Sequence, residues 1–406
     1  MIDHSPGVVI TGLGPVTSIG IGSTDFTSSL FGGHSGISEI TAFDTAGLPT
    51  RVGGQIHGFN GNDYFDPTSR HQYGRTSQLA IAAAKLALAD AEVHADSVTA
   101  ILVGTTNGEC QVHERILSRT VESKQQLITT ADMRQLLDPL IPLNVNQALN
   151  ARAECLLIPT ACAAGNYALA YGYELIVNQS HQLVLVGGSD SLSYSAYSGF
   201  CQLYNMAPDK CRPFDLNRQG ILIGEGAGML VLENEDHARR RNARILARMC
   251  GYGLSCDASH MTIPTVDGVT RAMQNALKHS NIAAENVGYI SAHGTGTKRN
   301  DETEFLALKS IWGDQAANLP ISSLKSMLGH TMGAASALEA IATVLALVHQ
   351  TLPPTINFET PDPDCPVDCV PLLARQHSFQ HAFNNAYAFG ANNAVTVFAD
   401  AQANRV

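Results

Sequence analysis

The stretch LLIPTACAAGNYALAYGYELIVNQ, residues 156–179, decides the architecture of this chain. Its opening run, 156–161, is short and apolar and reads as a buried strand, while 166–179 carries apolar residues at helical spacing. Cys162 and the small residues Ala163, Ala164 and Gly165 lie between them. A cysteine at a helix N-terminus faces unpaired N–H groups and the positive end of the helix dipole. That placement predicts a lowered thiol pKa and an exposed nucleophile. Small neighbours let a substrate carbonyl approach the backbone, whose N–H groups suit an oxyanion. The competing reading is a buried structural cysteine, the commoner fate of that residue.

Working outward, strand-like runs at 8–14, 100–106, 182–190 and 226–233 alternate with an Ala-rich helix at 77–91 and the helix at 166–179. The scheme resumes with 243–253 (strand), 269–280 (helix), 287–297 (strand into a glycine loop) and 337–350 (helix). A Pro-rich connector, 351–366, leads to a closing pair of strands around 384–401. Near-continuous hydrophobic strands alternating with helices are the mark of an α/β fold. Strand–helix units on both sides of residue 250 predict two similar halves, 1–250 and 251–406, although no letter-for-letter repeat is visible. Residues 107–150 show no strand pattern and read as an insertion over a pocket or a subunit interface.

The 406 residues are 45% hydrophobic and 15% charged, enough for a large core and too apolar for disorder. No uninterrupted apolar run reaches 18 residues, so no membrane-spanning helix is expected. The start, MIDHSPGVVITGLG, lacks the basic and apolar regions of a secretory signal, and a cytoplasmic location is expected. The net charge is −11, from 36 acidic and 25 basic residues, which makes nucleic acid a poor partner. One basic run exists: Arg239, Arg240, Arg241, Arg244 and Arg248 form either a solvated helix face or a landing patch for an acidic partner. Nine scattered cysteines with no CxxC pair predict reduced thiols.

His293 in ISAHGTGT and His330 in KSMLGHTMGAAS both fall in glycine-rich loops after strands, and Lys325 lies five residues before the second. A lone histidine is usually a hydrogen-bonded core residue. Two neutral imidazoles aimed at one carbonyl oxygen, however, stabilise an enolate without a metal. No short metal-ligand spacing such as HExxH occurs, so no metal is expected. The glycines of GLGPVT (12–17) follow a strand, but Thr17 stands where a dinucleotide fingerprint needs its third glycine. GEGAG (224–228) precedes a strand and reads as a tight turn beneath the site.

Taken in order, VVITGLGPVTSIG, TACAAG, CRPFDLNRQGILIGEGAG, AHGTGTKRNDETE, SSLKSMLGHTMGAASALEA and AYAFGANNA resemble the β-ketoacyl-acyl carrier protein synthases (ketosynthases) of the thiolase superfamily. The resemblance spans nearly the whole chain. It implies a five-layered α-β-α-β-α thiolase fold, an acyltransferase and a decarboxylating Claisen condensation. In that scheme Cys162 takes an acyl group from the phosphopantetheine of an acyl carrier protein, while His293 and His330 bind a malonyl thioester and promote its decarboxylation. Lys325 matches the lysine that orients the histidines, and Glu339 the glutamate beside it. The N–H groups of Cys162 and Phe389 match the oxyanion hole, and Phe389 also matches the gate of the acyl pocket. Asn107, Phe200, Thr295 and Thr297 are candidate substrate contacts; for Asp301 and Glu304 structural and catalytic roles are equally open.

The resemblance implies no redox cofactor, and a dimer formed with itself or with a chain-length-type homologue. FGANN stands where many relatives have FGGTN, and Gln219 stands where an aspartate is frequent; these departures incline the reading toward a polyketide-like enzyme. A catalytically silent partner subunit and a coenzyme A thiolase are the alternatives. The first normally lacks the cysteine, and the second needs a late Cys-x-Gly, whereas here Cys365-Pro366 and Cys369-Val370 occur. For carrier-protein docking, Arg70, Arg75, Arg115 and Arg119 compete with the Arg239–Arg248 run.

Overall fold

In the computed structural model, residues 7–66, 72–123, 128–203 and 205–403 are described. Ten strands follow one another across a continuous sheet. From one edge they are Ile321–Ser322, Val287–Ser291, His381–Tyr387, Asn392–Asp400, Ala247–Cys256, Val8–Thr17, Gly226–Asn234, Leu183–Asp190, Ala100–Gly104 and Glu154–Ile158. A short eleventh strand, Gly20–Ile21, folds back on Val8–Thr17.

The order contains a repeat. In each half the first strand pairs antiparallel with the last, and the last pairs antiparallel with the one before it. That one pairs parallel with the second strand, which pairs parallel with the third. The halves meet where Val8, Val9 and Ile10 lie against Met249, Arg248 and Ala247. The second cycle of strands opens at Ala247, so a division at residue 250 falls inside its first strand.

Two helices, Ala164–Val177 and Ala335–His349, lie between the halves of the sheet. Arg75–Asp90 and Leu140–Leu149 cover one outer face, and Val266–Ser280 and Lys298–Trp312 the other. The result is the α-β-α-β-α layering expected. Outer helices are amphipathic: Val266–Ser280 buries Val269, Ala272, Met273 and Ala276 and is capped by Thr265. The central helix Ala335–His349 is buried all round as far as Leu347. The stretch Met332–His349 is apolar and long enough to cross a membrane, but it is 89% buried between the sheets. Its apolarity is that of a core helix. The two central helices cross closely because Gly165 has no side chain; a Cβ there would lie 2.6 Å from the Ala337 nitrogen.

The described residues of the 107–150 segment form the helices Cys110–Ser123, Thr130–Leu136 and Leu140–Leu149. The last buries Ile141 and Val145 in the outer core. In the arginine run Arg239, Arg240 and Arg244 are exposed to solvent, but four of its five guanidiniums are paired with carboxylates. Arg239 and Arg248 share Glu235, Arg241 takes Glu233, and Arg244 takes Asp90. These charges knit the connection between the two halves.

Candidate active site

Cys162 sits at the switch from strand to helix. The strand Glu154–Ile158 ends earlier than its sequence suggests, at Pro159, which has no N–H for the ladder, and Ala161 at φ +50° then turns the chain away. A single 3-10 turn, Ala161–Ala163, then carries Cys162 into the helix Ala164–Val177. The thiol is almost fully buried, and burial pushes it up to about 11; the Lys325 ammonium and the N–H groups of Phe389 and Cys162 oppose that rise. The lowered pKa expected from the helix terminus is therefore corrected: desolvation outweighs the nearby positive charge, and the resting group is a thiol. The same two N–H groups stand at the sulfur, the place the family resemblance implies for the oxyanion hole.

His293 follows the strand Val287–Ser291, and His330 follows the short helix Lys325–Leu328. Their rings stand 5.6 Å apart at 82°. Each is buried, and burial together with the Lys325 charge holds both imidazoles well below their ordinary pKa. Both are neutral at physiological pH. Their tautomers follow from their partners. The Met332 N–H donates to Nδ1 of His330 at 3.1 Å, and the Lys325 ammonium lies 3.5 Å from Nδ1 of His293. With both Nδ1 atoms accepting, the protons reside on Nε2, and each ring offers one N–H.

Backbone contacts fix these rings. The His330 N–H donates to the Leu222 carbonyl at 2.6 Å, and its own carbonyl accepts from Gly224. Glu304 accepts from the N–H groups of His293 and Gly294 at 3.0 and 2.9 Å, and from Asn385. Asp301 accepts from the N–H groups of Phe214 and Gly296 and faces Arg218. Both acids are thus committed to loop structure. Lys325 forms a buried ion pair with Glu339, whose carboxyl burial pushes to about 7 while Lys325 lowers it.

A cavity of about 630 Å³ opens above Cys162. Phe200, Thr295, Thr297 and Phe389 line it as the sequence suggested, and Phe200 stacks on Phe389 at 5.7 Å and 17°. Asn107 is not in its wall. The Asn107 backbone N–H donates to Asp190 at 3.0 Å, and its side-chain Nδ2 is buried. Lys325 and Glu339 lie behind the histidines rather than in the wall.

Three residues that the sequence reading missed also belong here. Tyr387 lines the cavity with its ring against His293. Asn205 lines it near Gln219. Asp190 is fully buried and accepts from Thr105, Thr106, Asn107 and Gly333, so it ties the loop after His330 to the sheet. Its signal was an acid closing an otherwise apolar strand, QLVLVGGSD.

Residues 5–238 match the family described as Beta-ketoacyl synthase, N-terminal domain, and residues 246–359 match its C-terminal domain. The chain belongs to the β-ketoacyl synthase family. This synthase is 36% identical to 3-oxoacyl-[acyl-carrier-protein] synthase 2 of Synechocystis sp., over 96% of this chain and 97% of the relative. It is also 36% identical to Nodulation protein E of Rhizobium meliloti, over 96% and 98%. Among solved structures, the ishigamide ketosynthase/chain length factor superposes with a TM-score of 0.94 at 40% identity, covering 97% of this chain and 99% of that one. A type II polyketide ketosynthase solved with its acyl-carrier protein and a hexaketide superposes at 0.89 with 30% identity, covering 98% and 100%.

The candidate docking arginines of the synthase are mostly occupied. Arg75 pairs with Glu225, and Arg115 and Arg119 both face Asp132. Arg70 lies outside the described residues. Among the described residues no group of three His, Cys, Asp or Glu side chains is arranged to hold a metal, and Lys325 places a cation beside His293.

Proposed function

We propose that this β-ketoacyl synthase elongates acyl chains carried on an acyl carrier protein, in a specialised polyketide-like pathway, with Cys162, His293, His330, Lys325, Glu339 and Phe389 in the roles set out below. The observation that carries the reading is the pair of buried imidazoles, each with its Nδ1 facing a donor, held in one cavity with a buried thiol.

In the first half-reaction the Cys162 sulfur bonds to the acyl carbon, the carrier's C–S bond breaks, and the Cys162 proton ends on the departing carrier thiol. The acyl oxygen accepts the N–H groups of Cys162 and Phe389 while it carries negative charge. In the second, the thioester carbonyl of a malonyl-carrier protein accepts the two Nε2–H groups. Loss of CO2 leaves an enolate, and each N–H strengthens its bond as that charge develops. The enolate carbon attacks the acyl carbon, the Cys162 C–S bond breaks, and the thiol regains a proton from solvent. No redox change occurs, so the sequence of steps calls for no redox cofactor. Thr295 and Thr297, whose hydroxyls lie 2.9 Å apart on the cavity wall, contact the carrier's arm.

The functional unit is a dimer, homodimeric or paired with a chain-length-type homologue, and it acts in the cytoplasm. The strand Glu154–Ile158 is a half-buried apolar edge, the kind that pairs with another chain. Leu117, Val121, Met133 and Leu137 form exposed apolar surface nearby in sequence. The experiment is Cys162→Ser: β-ketoacyl product should vanish, because an alcohol forms no comparable thioester donor. Product made at near wild-type rate would overturn the scheme.

A further inference from the structure

The mouth of the cavity holds two cations that form no ion pair among the described residues. Lys298 and Arg299 line the cavity, are exposed, and among the described residues make no ion pair or side-chain hydrogen bond. The other mouth-side guanidinium, Arg218, is buried and already committed to Asp301 and Asp362. Lys298 does feel Asp362, but that carboxylate is bonded to Arg218. In a chain of net charge −11, two adjacent uncompensated cations at the opening of a site are a local exception. They form the first turn of the helix Lys298–Trp312, capped by Thr297, so the helix dipole adds to their field. Thr295 and Thr297, on the cavity side, are the immediately preceding polar residues of the same loop. The neutral Gln219 faces the same opening, where an acid would have cancelled part of this charge.

We infer that Lys298 and Arg299 bind the phosphate of the phosphopantetheine arm as the acyl group reaches Cys162. A phosphodiester carries one negative charge and free acceptor oxygens, and it must lie at the mouth when the thioester lies at the bottom. A guanidinium donates in a planar fork and an ammonium serves as a point charge, so the two together fit such an oxygen cluster. The inference rests on the proposed use of arm-borne substrates. Its occupant is the arm itself and not the acidic surface of the carrier protein.

The test is single-turnover acylation of Cys162, followed by intact mass, with three donors of one acyl group. These are the carrier-protein thioester, the 4′-phosphopantetheine thioester and the pantetheine thioester lacking phosphate. In wild type the phosphate should lower the half-saturating concentration relative to the pantetheine donor. Lys298→Glu combined with Arg299→Glu should raise the phosphopantetheine-to-pantetheine ratio of half-saturating concentrations about tenfold. Lys298→Arg should keep the wild-type ratio. The tenfold effect should shrink with added salt, because exposed charges are screened. An unchanged ratio overturns the inference. So does an effect confined to the carrier-protein donor, which would assign the pair to the carrier's acidic face. Failure of wild type to be acylated by any donor would instead sink the proposed function.

Discussion

Glu339→Gln isolates the buried charge pair on which the histidines depend. Lys325 and Glu339 are both 1–2% exposed, and they are each other's ion partner. The second Glu339 oxygen has no partner, so one contact holds the pair. Removing the carboxylate strands a cation in the core, a change that costs about 3–5 kcal/mol. Lys325→Met leaves the opposite fragment. The Glu339 carboxyl is already pushed to about 7, so at pH 7 this variant keeps a neutral acid at a cost capped at about 3 kcal/mol. The double variant Lys325→Met with Glu339→Met fills the same space without charge, and it should recover most of the loss. Urea unfolding at pH 7 measures the three stabilities. Activity should not follow stability. Without the Lys325 ammonium, Nδ1 of His293 has no fixed donor, so its proton is no longer held on Nε2. The double variant should fold well yet decarboxylate malonyl-carrier protein roughly tenfold or more slowly, while Cys162 still accepts acyl groups. A Glu339→Gln loss under about 1 kcal/mol would refute the argument about burial. Full decarboxylation in the double variant would refute the argument about the tautomer.

Other outcomes follow from the same geometry. Single His293→Ala and His330→Ala variants should each lose decarboxylation by about 10²-fold or more, with Cys162 acylation persisting in at least one. Wild-type turnover should survive extensive chelation; collapse that zinc reverses would establish a metal role. Because both imidazoles titrate well below their ordinary range, neither should add an inflection to the decarboxylation step between about pH 6 and about pH 8; any inflection that stopped-flow measurement of CO2 release finds there should belong to Glu339 or Glu304, whose carboxyls burial pushes to about 7. Burial pushes the Glu304 carboxyl up to about 7, from an ordinary 4.5. The folded state thus binds the extra proton between these values, and the stability contributed by this group falls as pH rises through them. Glu304→Gln should remove that slope, so the stability gap between wild type and variant should change across this window and be level above it. A gap constant in urea titrations at every pH would count against the buried acid.

The layering was legible because most strands declared themselves by an apolar run and the central helices by their apolarity, while the two-residue edge strand Ile321–Ser322 is too short to leave such a pattern. Helix 335–349 shows how far that goes: its composition resembles that of a spanning helix, and only the two sheet halves around it identify it as core. The Cys162, His293 and His330 set was legible because glycine and alanine clusters at strand ends leave room for substrate. Electrostatics was less so. The Cys162 sequence context announces a helix terminus, but the burial that raises its pKa comes from residues far away in sequence, such as Ala386, Ala388 and Ala394. The backbone of Asn107 is anchored by Asp190, 83 positions along the chain, a contact no local pattern announces. The arginine run likewise hid its partners, Glu233, Glu235 and Asp90, which make it structural.

The most direct test of the central claim uses Cys162→Gln, in which an amide side chain stands in for the acylated cysteine. This variant has no nucleophile but keeps His293 and His330 as neutral N–H donors. Given malonyl-carrier protein, it should release CO2 and leave acetyl-carrier protein, with no β-ketoacyl product, and addition of His330→Ala should stop the release. CO2 release that persists at full rate in the Cys162→Gln, His330→Ala variant would contradict the account.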